Sequence, residues 1–219
     1  RQRQMCIRDS VNLGMAGPAM IEHGGLGRFA PEEIGPLDVQ MSNGVVDVAV
    51  ADEAEAADVA RRYLSYFQGP AGDWDSADQR LLRHVVPENR HRVYDVRELV
   101  DILCDAGSVL ELRRGFGGAV LTALCRIEGT PVGLVANDSA CGGGALDSDA
   151  ADKMARFLQL CDAHGLPVVS LCDTPGFMVG PDAERAGGVR HFGRLFVTAP
   201  NLSVPLCTVV VRKAYGLGG

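Results

Sequence analysis

The sequence predicts an α/β protein with a largely parallel β layer and crossover helices. Three observations carry this expectation. After Gly107, apolar runs of strand length alternate with amphipathic runs of helix length, as when strands are joined through helices. Glycine-rich turns stand between strand and helix, and 27 glycines with 11 prolines in 219 residues exceed the ordinary share. Apolar residues make up 47% and charged residues 22%, which supports a packed core and excludes wholesale disorder. The formal charge of −7 disfavours a nucleic-acid partner, which needs clustered Lys and Arg. No apolar run approaches the ~20 residues of a membrane-spanning helix, so no membrane partner is expected.

The opening decapeptide RQRQMCIRDS follows neither period 3.6 nor period 2. It resembles adaptor read-through more than encoded protein, and residues 1–10 are set aside as non-native. Asn43-Gly44 is a turn signal before VVDVAV, a strand over 45–50. Asp52 and Glu55 have capping-box spacing, and Ala56, Val59, Ala60, Tyr63, Leu64 and Phe67 recur at helical intervals, predicting a helix over 53–67. Residues 69–92 combine Gly, Pro and charge without a period and read as an inter-domain linker. Asp95 and Glu98 open a second helix through residue 103, with Gly107 as its stop.

Strands are predicted over 109–112, 119–127 and 132–136, the last two joined by a turn at Glu128-Gly129-Thr130-Pro131. Gly142-Gly143-Gly144 leads into a helix over 146–164, striped by Ala151, Met154, Ala155, Leu158 and Cys161 and stopped by Gly165. A strand over 168–172, the turn Asp173-Thr174-Pro175-Gly176, a helix over 184–198 and a strand over 206–211 complete the pattern. The strands at 119–127, 132–136, 168–172 and 206–211 are expected in one mixed sheet. The segment 45–67 is expected to be under-buried, and the stop on Gly219 inside a glycine turn reads as a fragment.

Seven scattered cysteines with no CxxC pair indicate neither a disulfide framework nor a zinc ribbon, and no metal is expected. Cys125, Cys172 and Cys207 lie in apolar runs and read as buried free thiols. With no secretory apolar region in residues 1–10, a reducing, cytoplasmic setting is expected.

The chemistry points to the glycine turns. A glycine turn feeding a helix start exposes backbone N–H groups at the positive end of the helix dipole, which suits a developing oxyanion. At CGGGALDSDAADK the acids Asp147, Asp149 and Asp152 make a permanent phosphate less attractive there. A tight turn needing positive φ explains the same glycines equally well. Tyr215-Gly216-Leu217-Gly218-Gly219 repeats the pattern after a strand, and neither turn matches a dinucleotide or P-loop motif. Of five histidines only His191 lies near a plausible site, and a structural role is the default for it. Asp173 either orients its turn or acts as a base; Arg113 and Arg114 read as solvated.

Several stretches in order carry a resemblance: VNLGMAGPAMIE, NGVVDVAVADEAEA, VVPENRHRVYDVRELVD, GSVLELRRGFG, IEGTPVGLVAND, GGALDSDAADKMARFLQLCDAHGLPVVSLCDTPGFMVG and TVVVRKAYGLGG. Together they resemble the carboxyltransferase (β) subunit of biotin-dependent acyl-CoA carboxylases of the propionyl-CoA and acetyl-CoA type. The resemblance implies a crotonase-like fold of two domains, with residues 11–68 ending the first and 93–219 beginning the second. It implies carboxyl transfer from carboxybiotin, carried on a separate biotin carrier domain, to the α-carbon of an acyl-CoA. It also implies a biotin carboxylase partner and a homo-oligomer whose active site is shared between subunits. In such a site Gly144, Ala145, Gly218 and Gly219 would form the biotin-side oxyanion hole, and Phe177 and Leu217, exposed beside it, would bind the cofactor. The first-domain hole and the CoA surface would lie upstream. YGLGG departs from the family's YGGAY form. An acyl-CoA decarboxylase of the same superfamily, or a non-catalytic carboxyltransferase-like subunit, would carry the same turns.

Overall fold

The computed structural model describes residues 5–7, 12–89 and 91–219. The chain begins with strand β1 (Met5–Ile7), helices α1 (Pro18–His23) and α2 (Leu37–Ser42), strand β2 (Val48–Val50) and helix α3 (Glu53–Ser65). Short α4 (Leu82–Val85) and α5 (Val96–Leu103) follow, then strands β3 (Leu110–Leu112), β4 (Val120–Ile127) and β5 (Thr130–Asn137). Helix α6 (Ser148–Ala163), strand β6 (Val168–Thr174), helices α7 (Pro181–Arg185) and α8 (Gly188–Thr198) and strand β7 (Leu206–Ala214) complete the order.

Local signals account for the long helices. Asp52 accepts from the Glu55 amide, Asp95 from that of Arg97 and Asp147 from that of Ala150, so three carboxylates cap α3, α5 and α6. The helix expected over 184–198 is instead α7 and α8, because Gly187 takes φ 75 and ends the first turn. Strand β1 lies within the decapeptide set aside above; it pairs in parallel with β2, Met5 opposite Val48. Three residues are too few to display a period, and their partner is distant in sequence.

Five strands form one sheet in the order β3-β4-β5-β6-β7, so the four expected strands share it. The sheet is mixed: β3, β4 and β5 are antiparallel, and only β5, β6 and β7 run parallel. The antiparallel half arises at Glu128 (φ 49) and Gly129 (φ 74), a two-residue hairpin turn whose successor Thr130 already belongs to β5. The buried carboxylate of Asp105 accepts both turn amides, at 2.9 and 2.7 Å.

Leu121, Ala123 and Cys125 of β4 face α5, while Val120 and Leu124 face α6, as a two-residue period requires. Cys125 and Cys172 are buried thiols, but Cys207 is exposed because β7 is an open edge strand. Helix α3 has no buried residue, as expected, yet Val46, Val50 and Tyr66 on either side of it are buried.

The segment read as a linker is held in place. Arg126 of β4 donates to the carbonyls of Ser65 and Gly69, and Gln79 donates to that of Ile102. Arg113, expected to be solvated, is buried: its guanidinium pairs with Asp47 at 3.0 Å, both side chains only 4% exposed, and its amide donates to the Asp47 carbonyl. Arg114 does face solvent. Arg113→Met leaves the Asp47 carboxylate buried without its counter-ion, and urea unfolding should show a loss of about 3–5 kcal/mol. The double change Asp47→Leu with Arg113→Met should be less destabilised than Arg113→Met alone.

Lys153 of α6 is also buried, its ammonium 3.5 Å from the Gly117 carbonyl, and burial lowers its pKa from 10.5 to about 8. Below that value the folded state bears the full cost of a desolvated charge. Between about 8 and 10.5 the folded state has released a proton that the unfolded chain still holds, so this group's contribution to stability rises with pH. Lys153→Met should therefore unfold at higher urea than the wild type at pH 7, with the gap narrowing toward pH 10.

Candidate active site

Strands β5, β6 and β7 are parallel, so their carboxyl ends lie on one edge of the sheet. All three continue into glycine-containing turns: Gly142–Gly144 after β5, Pro175-Gly176-Phe177 after β6 and Gly216–Gly218 after β7. The middle turn joins the outer two. Leu146 donates to the Gly176 carbonyl at 3.0 Å, Met178 to the Leu146 carbonyl at 2.8 Å and Tyr215 to the Thr174 carbonyl at 3.1 Å. Gly144 takes φ 82, and a Cβ there would collide with the Asp173 carbonyl oxygen. A Cβ on Gly218 would stand 3.0 Å from the Phe177 nitrogen. Glycine is therefore what lets the three turns close on one another.

The amides point differently from the expectation. Gly144 donates to the Cys141 carbonyl at 2.9 Å and Ala145 to that of Gly142 at 3.2 Å, so this pair closes the turn. The amides outside those closing bonds are those of Gly142 and Gly143, both at positive φ. Sequence spacing locates such a turn but not which of its amides face outward.

The nearby side chains are occupied. Asp173, weighed above as turn-orienter or base, is neither. Its side chain is 1% exposed and pairs with Arg212 at 2.9 Å, while the Tyr94 hydroxyl donates to it at 3.0 Å. Arg212 also lies over the Tyr94 ring, 5.0 Å from its centroid. Burial and the adjacent carboxylate push the Tyr94 phenol well above its ordinary pKa. The turn after β6 is instead oriented by Thr174, whose hydroxyl accepts from the Gly176 amide at 3.0 Å.

Asp147 caps α6, and Asp152 binds His191 Nδ1 and Arg194, each at 2.9 Å. His191 is thus part of a clasp between α6 and α8. Burial, then the charges of Asp147 and Asp152, raises the Asp149 carboxyl. Phe177, expected to be exposed, is half-buried because it stacks on Phe192 at 4.3 Å and meets Phe196 edge-on. Leu217 is 81% exposed, and Met178, Val179 and Tyr215 are also open to solvent beside the turns.

Arg212 and Lys213 went unnoticed in the sequence; the only signal was a basic pair ending an apolar strand. Lys213 donates to the Gly143 carbonyl at 2.8 Å. Among the described residues no group of three or more His, Cys, Asp or Glu is placed to hold a metal, and no helix is long and apolar enough to cross a membrane.

Known proteins share the sequence and the fold of this chain. A carboxylase of uncharacterised function from Bacillus subtilis, YngE, is 37% identical over 97% of this chain and 43% of its own length. A solved single-chain, multi-domain long-chain acyl-CoA carboxylase is 55% identical, with a TM-score of 0.96 over 99% of this chain and 22% of its own. Transcarboxylase 12S, solved as a hexamer with methylmalonyl-CoA bound, is 31% identical, with a TM-score of 0.86 over 98% of this chain and 43% of its own. The chain thus spans less than half the length of these relatives. The family model for the carboxyl transferase domain matches residues 2–219, and the chain belongs to that family.

Proposed function

We propose that the full-length protein carrying this chain transfers a carboxyl group between biotin and the α-carbon of an acyl-CoA, and that the edge described above is its biotin side. One observation carries this reading. Backbone amides of glycine turns gather at three strand ends, while the carboxylates of Asp147, Asp152 and Asp173 are held by other partners. Such a surface offers donors that cannot titrate, already aimed before charge develops. Its apolar border of Met178 and Leu217 suits an uncharged bicyclic ring bearing a polar oxygen, as in biotin.

Biotin, brought on a carrier domain, supplies the carboxyl group. This chain binds and orients the ring, and the glycine turn after β5, together with Gly218-Gly219 after β7, holds the oxygen on which negative charge grows. In the first turn the outward donors are the amides of Gly142 and Gly143. The acyl-CoA side belongs to a preceding domain, of which residues 11–68 are the last part, joined through 69–92 to the domain that begins at 93. A second copy of the protein completes the site, and a biotin carboxylase charges the carrier. The thiols of Cys104, Cys125, Cys141, Cys172 and Cys207, none of them in a disulfide, suit a reducing, cytoplasmic setting.

The test is transfer of labelled carboxyl from malonyl-CoA or methylmalonyl-CoA to free biotin by the full-length protein. Transfer is expected with at least one thioester, and no transfer with either overturns the reading. Gly218→Pro removes an amide and crowds the turn against Phe177, so kcat should fall by about 10²-fold or more. His191→Ala should cost far less. The reverse ranking would move the chemistry from backbone donors to side-chain acid–base catalysis.

A further inference from the structure

Strand β7 departs from regular pairing where it reaches this edge. Cys172 stands opposite Val210, yet Thr174, two positions on, stands opposite Ala214, four positions on. The extra residues form a bulge that includes Arg212 and Lys213, and bulges re-aim side chains. Arg212 turns to the buried Asp173, while the neighbouring Lys213 reaches the glycine turn that follows β5, its ammonium 2.8 Å from the Gly143 carbonyl. Gly144 and Ala145 donate within the turn, and Leu146 anchors its far end to the Gly176 carbonyl, so Lys213 is the side chain that holds its middle.

We propose that Lys213 is a positioning residue: its ammonium grips the Gly143 carbonyl and so aims the Gly142 and Gly143 amides toward the oxygen they stabilise. Gripping a carbonyl fixes the plane of the peptide that follows, which here is the one between Gly143 and Gly144, and restrains the two flexible glycines before it. The ammonium also adds positive charge beside donors that serve an anion. Consecutive positions send Arg212 and Lys213 to opposite sides, and the bulge sets how far along β6 and the glycine turn they reach.

This inference rests on the proposed transfer reaction, and its test separates the two. The full-length protein and its Lys213→Met and Lys213→Arg variants are compared by hydrogen exchange without ligands and by carboxyl transfer from methylmalonyl-CoA to free biotin. In Lys213→Met, exchange over residues 138–146 should quicken by about tenfold, the scale of one lost charge-assisted hydrogen bond. Exchange over β4 should stay unchanged. The same variant should lose about tenfold or more in kcat through misplaced donors, with KM for methylmalonyl-CoA within about twofold. Lys213→Arg keeps a cation that can donate to the same carbonyl and should restore both readouts in large part.

Unchanged exchange over 138–146 in Lys213→Met overturns the proposal, and so does an equal rise over β4, which would mean general destabilisation. An Arg variant as impaired as Met also counts against it. If the wild type transfers no carboxyl group, the functional reading fails, while the exchange comparison still decides whether Lys213 holds the turn.

Discussion

The edge where the three glycine turns meet depends on one buried ion pair, Asp173 with Arg212, set between two parallel strands. Neither charge tolerates burial alone: a carboxylate without a counter-ion in such a place is strongly destabilising. The pair therefore ties the end of β6 to the bulged end of β7, and the Tyr94 hydroxyl ties both to the segment that leads into α5. The Asp173 amide donates to Asn137 at the end of β5, so the third strand is drawn into the same knot. Where these strands stop determines where the three glycine turns can meet.

A consequence is electrostatic. The edge is rich in ionisable residues, yet their charges are spent on one another or on helix caps. Asp147 holds the start of α6, Asp152 clasps α8 through His191 and Arg194, and Asp173 faces inward. What remains at the mouth beside the Lys213 ammonium is backbone: peptide dipoles fixed by the fold, whose strength does not vary with pH. Stabilising a transient oxyanion calls for donors that need no reorganisation when charge appears, and peptide groups held in short turns meet that need. Exposed apolar groups at the same mouth, such as Leu217 and Met178, leave room for a ring to be covered there.

The portion before residue 93 is not an appendage to this sheet. Its Asp47 pairs with Arg113 beyond β3, the carbonyls of Ser65 and Gly69 receive Arg126 from β4, and the Tyr66 hydroxyl donates to the Ser108 carbonyl. Each bond joins residues more than forty positions apart. The hairpin that Arg126 helps to hold is also the one whose turn amides Asp105 accepts, so the antiparallel half of the sheet and the connecting segment stabilise each other.

The sequence by itself determined the elements whose causes are local. Carboxylates at Asp52, Asp95 and Asp147 stop unwinding at helix starts, and the apolar stripe of α6 follows from a period of 3.6. The ordered motifs also carried the family, because together they span nearly the whole chain. Tertiary structure alone decided what depends on partners far along the chain. The pairing of β1, the burial of Arg113, the inward turn of Asp173 and the stacking of Phe177 on Phe192 are of this kind. So is the aim of the amides at the glycine turns. Glycine at 142–144 announces a turn, but hydrogen bonds and neighbouring carbonyls select which peptide planes face outward, and those neighbours come from β6 and β7. A local pattern can specify that a chain bends; only the atoms packed against the bend specify where its donors point.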